Sequence, residues 1–214
     1  FESLRHRQRR LKGLEAQVRR HAPKVSDKYT STVETDRIEA HFDIATAALI
    51  AGLSNMIVIR PDTLSTVYSG LGVDKGVHGL GHGEGADPIG HRRNIRKLHF
   101  DQIGRLARRL AATPEGDGTM LDNTLIAYFS DAGEKHHASA TQWPFVLVGN
   151  LGGRLKTTGR YLQYPVYQKS GHHTIANLYN TLAHAAGLEQ DTFGQLDQNL
   201  EPASQRGPLS ALLA

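Results

Sequence analysis

Two groups of residues carry side chains that bind divalent cations. The first is His78 and His82 in the run HGLGH. A spacing of four brings two imidazoles to one ion if the glycines let the backbone fold back. The second is Asp131, Glu134, His136 and His137, which follow the apolar run TLIAYFS. Carboxylate and imidazole together suit Zn²⁺ or Mn²⁺ better than Mg²⁺ or Ca²⁺, which prefer all-oxygen cages. A divalent metal site drawn from His78, His82, Asp131, Glu134, His136 and His137 is the expectation, and no residue is assigned a catalytic role. The alternative is that Asp131 caps a turn and the histidines are solvated surface groups. With 12 histidines and no cysteine, the chain excludes thiolate nucleophiles, disulfides and zinc knuckles.

These residues need elements to hold them. Leu4, Leu11, Leu14 and Val18 recur at near-helical intervals among arginines, so residues 1–22 read as a basic amphipathic helix. Residues 34–52 read as a second helix, closed by Gly52, and NMIVIRP, 55–61, as a short buried strand stopped by Pro61. Helix followed by continuous apolar strand signals an α/β domain. Residues 69–91 hold eight glycines without periodicity and read as a long Gly/His-rich loop, the kind that is usually functional or disordered. A helix resumes over 94–112. Strands are expected at 123–131 and 143–150, and a last helix at 173–188. One α/β domain over 1–190, with a C-terminal tail at 191–214, is the resulting domain plan. In open α/β sheets, ligands collect at the carboxyl ends of the strands. Asp131 and the loop bearing His78 and His82 are therefore expected to meet there.

Charge and hydropathy narrow the partners. Residues 1–24 hold eight Lys/Arg against two Glu, so the basic character belongs largely to one segment. That helix is a candidate surface for a protein partner. It lacks interleaved aromatics and any nucleic-acid motif, so no nucleic acid is expected. No apolar run approaches the roughly 20 residues of a transmembrane helix. Gly149, Gly152 and Gly153, with Arg154 and Lys156, could cradle an anion or form a plain turn. His172, His173 and Thr174 could cap the last helix or add a ligand.

The segments MLDNTLIAYFSDAG, HH and PFVLVGNLGG, within residues 98–164, resemble the C-terminal half of the DUF1552 family of exported bacterial proteins. That family is similar to DUF1501 and, remotely, to the alkaline phosphatase/sulfatase superfamily. The order of a basic helix followed by ETDRIEAHFDIATAALIAGLSNMIVIRP extends the resemblance over about residues 1–190. It implies a three-layer, mainly parallel α/β fold of the alkaline phosphatase-like kind, seen here as a C-terminal portion. It also implies export to the periplasm or cell surface, and a metal-dependent hydrolase of phosphate or sulfate esters acting on an anionic small molecule or polysaccharide ester. By the same resemblance, His78 and His82 stand where the superfamily's first ligand pair does, with His in place of its Asp, and Asp131 is the strand-end acid. The superfamily's next ligand is replaced here by Ala132, which leaves Glu134, His136 or His137 to supply it, and no Ser, Thr or Cys nucleophile motif is found. The competing expectation is a non-catalytic exported binding or assembly protein.

Overall fold

The computed structural model describes residues 2–130 and 142–214. The chain divides into two compact units, 1–113 and 114–214.

The first unit is helical. Helix α1 spans Glu2–His21, and its last turn carries the cations Arg19 and Arg20, which suit the negative end of the helix dipole. Helix α2, Glu34–Ile50, follows with Glu34 and Asp36 in its first turn. The short helix α3 covers Val77–Gly81, and the long α4 covers Pro88–Ala111. Periodicity alone places the start of α4 at residue 94. It begins six residues earlier because Asp87 accepts a hydrogen bond from the Gly90 N–H at 2.8 Å and Pro88 presets the first turn. Much of the expected 69–91 loop is therefore ordered, as a 3₁₀ turn at Ser69–Leu71, α3 and the start of α4.

Ile38 of α2, Tyr68, Val73, Leu80 of α3 and Ile95 of α4 form the core of this unit, with Phe42, Leu71, Val77 and Leu98 packed against it. At its edge, Glu39 and Asp43, one turn apart on α2, share two cations. Lys28 reaches them at 2.8 and 2.5 Å, and Arg105 of α4 reaches them at 3.2 and 3.0 Å. The hydrogen bonds to Asp43 and Glu39 hold the Lys28 ammonium above its ordinary pKa, so the cluster stays charged.

Inside the core lies a polar chain. The Tyr68 hydroxyl is 2.9 Å from Asp62 Oδ2 and 2.8 Å from His99 Nε2. A carboxylate can only accept, so the single phenolic proton goes to Asp62, and His99 must donate from Nε2. Both the Nε2–H tautomer of the neutral ring and the imidazolium can do so. Burial selects the neutral form and holds the His99 pKa below its ordinary value.

The 55–61 segment is not a buried strand. Residues 57–61 make no backbone hydrogen bond among the described residues, and Met56 and Val58 are 79% and 87% exposed. Ile57 and Ile59 turn instead toward α2, where they line an open groove of about 370 Å³ with His41, Ile44, Ala45 and Ala48.

The described residues of the second unit contain four short strands. β1, Pro114–Glu115, and β2, Gly118–Thr119, pair antiparallel across Gly116 and Asp117. Gly116 takes φ +58°, which suits a two-residue hairpin turn. β3, Ile126–Phe129, pairs antiparallel with β4, Phe145–Val148, with Ile126 opposite Val148 and Phe129 opposite Phe145. The three-layer, mainly parallel α/β expectation is thus corrected: the described residues form helices and two separate two-stranded antiparallel sheets. The physical reason lies in the strands themselves. Parallel sheets bury both faces, whereas residues of β3 alternate between half-buried and exposed, as a strand with one solvated face does.

After β4 the chain turns at Gly149, whose φ is +89° and where a Cβ would stand 2.2 Å from the Thr124 carbonyl oxygen. Helix α5, Ile175–Ala185, follows Thr174, whose N–H donates to Asn177 Oδ1 at 2.8 Å in a capping-box arm. Its buried polar face grips the final segment. Asn177 Nδ2 donates to the carbonyls of Arg206 and Gly207 at 3.0 and 3.1 Å, and Thr181 Oγ1 accepts from the Leu209 N–H at 2.7 Å. Residues 191–214 so contribute Leu209 and Leu212 to a core shared with Leu178 and flanked by Phe145, Leu147, Leu162, Tyr164 and Leu182.

Candidate metal centre

The HGLGH run becomes a single helical turn because of what flanks it. Val67 and Gly76 form an isolated antiparallel bridge, and the amides of Val77 and His78 donate to the carbonyls of Thr66 and Leu64 at 2.9 Å each. The chain is thereby aimed into α3. Leu80, 1% exposed, anchors this turn in the core. At about 100° per residue, His78 and His82 project some 160–200° away from Leu80, on the outer face of the helix. Burial of one leucine thus presents two imidazoles to solvent on one side.

The pair is close. His78 Nε2 and His82 Nε2 are 3.2 Å apart, and their rings meet edge to face with centroids at 4.7 Å. Two nitrogens at 2.0–2.1 Å from one tetrahedral ion stand about 3.3 Å apart, so this separation fits two ligands of one ion. It fits a hydrogen bond between two neutral imidazoles equally well. Among the described residues, no group of three or more His, Cys, Asp or Glu side chains converges on this point. Asp131, Glu134, His136 and His137 lie outside the described residues, so their expected meeting with the histidine loop does as well.

The turn after α3 brings another acid nearby. The Gly83 N–H donates to the Leu80 carbonyl, and the Glu84 N–H to the Gly79 carbonyl at 2.9 Å, with Gly83 left-handed at φ +83°. This is a Schellman motif. It doubles the chain back so that Glu84 Oε2 lies 2.7 Å from where a Cβ on Gly79 would stand. Spacing of metal-binding types did not single out Glu84. The signal available was the glycine that follows His82, which marks a helix stop.

No family model matches the chain, and no curated protein or solved structure matches it either. What the protein does is therefore read from its own chemistry. Other sequence candidates resolve into structural roles. The amides of Leu151 through Leu155 donate to Thr124, Asp122 and Leu151 carbonyls, to Asn150 Oδ1 and to the Asn150 carbonyl, so the amides of residues 151–155 are committed within the turn. His172 Nδ1 is 2.8 Å from the Pro165 carbonyl, and His173 stacks edge-on against Tyr164. Trp143 Nε1 donates to the Ser130 carbonyl at 2.9 Å, bracing the ends of β3 and β4. The groove beside α2 is lined by neither His78 nor His82. No described helix is long and apolar enough to cross a membrane.

Proposed function

We propose that the protein is a metal-dependent hydrolase of phosphate or sulfate esters, exported to the periplasm or cell surface and related to DUF1552. The observation that carries this reading is the 3.2 Å convergence of His78 and His82 Nε2 on the outer face of α3. Imidazole donors favour Zn²⁺ or Mn²⁺ over Mg²⁺ or Ca²⁺. Such an ion supplies Lewis acidity toward an ester oxygen and acidifies bound water. The chain's own part is to present two imidazoles side by side, with Leu80 as the anchor, and Asp131, Glu134, His136 and His137 are the proposed further donors. The decisive experiment loads metal-stripped protein with Zn²⁺ or Mn²⁺ and follows release of nitrophenol from its phosphate and sulfate esters. The expected result is metal-dependent release that the double substitution His78→Ala, His82→Ala abolishes. Release unchanged in that variant, or absent from protein carrying stoichiometric metal, overturns the reading.

A second reading, a non-catalytic exported binding or assembly protein, draws on a different observation. Arg92, Arg93 and Arg96 are exposed on α4, and none is paired with an acid among the described residues. They offer a docking face for an acidic protein partner, as the basic N-terminal segment does on its own charge. On that reading, association weakens steeply with salt and no ester is turned over.

A further inference from the structure

Independently of any metal chemistry, we infer that residues 55–61 are the open edge to which an extended, acidic segment of a partner protein adds as a β-strand, laying apolar side chains into the groove beside α2. The backbone is the first support. Residues 57–60 offer amides and carbonyls that make no hydrogen bond among the described residues. Exposure alternates along the same stretch: Met56, Val58 and Arg60 face solvent, while Ile57 and Ile59 are half-buried against α2. A period of two is that of an extended chain. The fold therefore holds one strand in its bonding conformation without a neighbour, which is the setting in which an extended peptide completes a ladder.

The groove supplies the side-chain half of the recognition. A strand added at the usual spacing of about 4.8 Å lies over α2. There the small side chains of Ala45 and Ala48 leave the space of about 370 Å³ open. From His41 to Ala48 the helix is about 10 Å long, and residues 57–60 cover about the same distance when extended. Two inward-facing residues of the partner, about 7 Å apart, match that length. They would cover Ile44, 52% exposed, and Val58, 87% exposed. Charge then selects the partner. Arg60 is exposed, has no ion pair among the described residues, and uses only Nε, on the Asp62 carbonyl at 3.1 Å. The neighbouring acid, Asp62, accepts instead from the Tyr68 hydroxyl at 2.9 Å. A second copy paired antiparallel about Val58 would set Arg60 opposite Met56 and leave the guanidinium unmatched, so an acidic strand fits this edge better than the chain's own.

The test is fluorescence anisotropy on the full chain, with a labelled peptide that alternates valine and threonine and carries a glutamate at each end. Saturable binding is expected. Two further forms are N-methylated at alternate amides, so that each blocks one edge of the peptide. The form whose bonding edge is blocked should bind at least about 10-fold more weakly, since several ladder bonds are lost. Replacing both glutamates with lysine should weaken binding about fivefold at low salt, and Arg60→Glu should reverse that preference. Ala48→Leu fills the groove and should also weaken binding. Because residue 58 donates no hydrogen bond in the fold, Val58→Pro should melt with wild type, and sedimentation of both gives the oligomeric state. The inference is overturned if both methylated forms bind like the parent, if the acidic and basic peptides bind alike, or if no peptide binds. It is equally overturned if the protein is a dimer that Val58→Pro dissolves, which gives the edge to a second copy, or if a labelled fatty acid binds in an Ala48→Leu-sensitive way where the peptide does not.

Discussion

Replacing Tyr68 with phenylalanine removes one oxygen and no volume, so the consequence can be worked from the chain it interrupts. The hydroxyl accepts from His99 Nε2 at 2.8 Å and donates to Asp62 at 2.9 Å. Tyr68 is fully buried and His99 is 6% exposed, so water cannot replace the partner of the imidazole N–H. An orphaned buried donor costs about 1–3 kcal/mol. Asp62 is only half-buried and can rebind water, so its loss adds little. A destabilisation of about 2 kcal/mol follows, or about 4–8 °C in Tm for a chain of this size. The double variant Tyr68→Phe, His99→Phe should recover part of that loss, because removing both partners leaves nothing unsatisfied. Thermal and denaturant unfolding measure both quantities. A Tyr68→Phe variant within about 0.5 kcal/mol of wild type would refute the assignment of His99 as a donor to the Tyr68 hydroxyl. The same assignment sets a pH dependence. His99 has a folded pKa below its ordinary 6.5, so the unfolded chain binds the extra proton first. Its contribution is intact above about pH 6.5 and is lost as pH falls from there toward the folded pKa. In the double variant this part of the acid sensitivity should vanish.

Two further outcomes test the second unit. Gly149→Ala should destabilise by about 3 kcal/mol, because left-handed strain is compounded by a Cβ that would sit 2.2 Å from the Thr124 carbonyl oxygen; Gly153→Ala, at φ +78° with nothing within 4 Å, should lose only about 1 kcal/mol. Equal losses in urea unfolding would show that the contact at Thr124 does not matter. Thr181→Val keeps the shape but orphans the buried Leu209 amide, at a cost of about 1–3 kcal/mol. Hydrogen exchange should quicken selectively at Leu209 and Leu212, and uniform protection across 191–214 would count against the clasp.

The helices were legible because their periodicity is long: 34–52 and 173–188 were read within a few residues of α2 and α5. The start of α4 was missed because its signal is the Asp87-Pro88 cap, which lies inside a glycine-rich run that suppresses periodicity. Sheet architecture was misread for a different reason. A run such as MIVIR has the composition of a buried parallel strand, but composition does not specify a hydrogen-bonding partner, and residues 57–61 have none among the described residues. The His78 and His82 pairing was legible from a spacing of four. Its orientation was not, because it depends on Leu80 entering a core built from α2 and α4.

The exposed 55–61 segment also governs how the protein behaves at high concentration. Met56, Ile57, Val58 and Ile59 form a consecutive uncharged, β-prone stretch, and the amides and carbonyls of 57–59, which make no backbone hydrogen bond among the described residues, are open to another chain, the template on which cross-β stacking grows. Arg60 and Pro61 close the stretch with a positive charge and a residue that cannot donate to a ladder, and so act as gatekeepers. Replacing either with an apolar residue would lengthen the sticky window and lower the concentration at which the protein stays in solution. Adding a charge at Val58, which already faces water, would raise it at little expense to the fold.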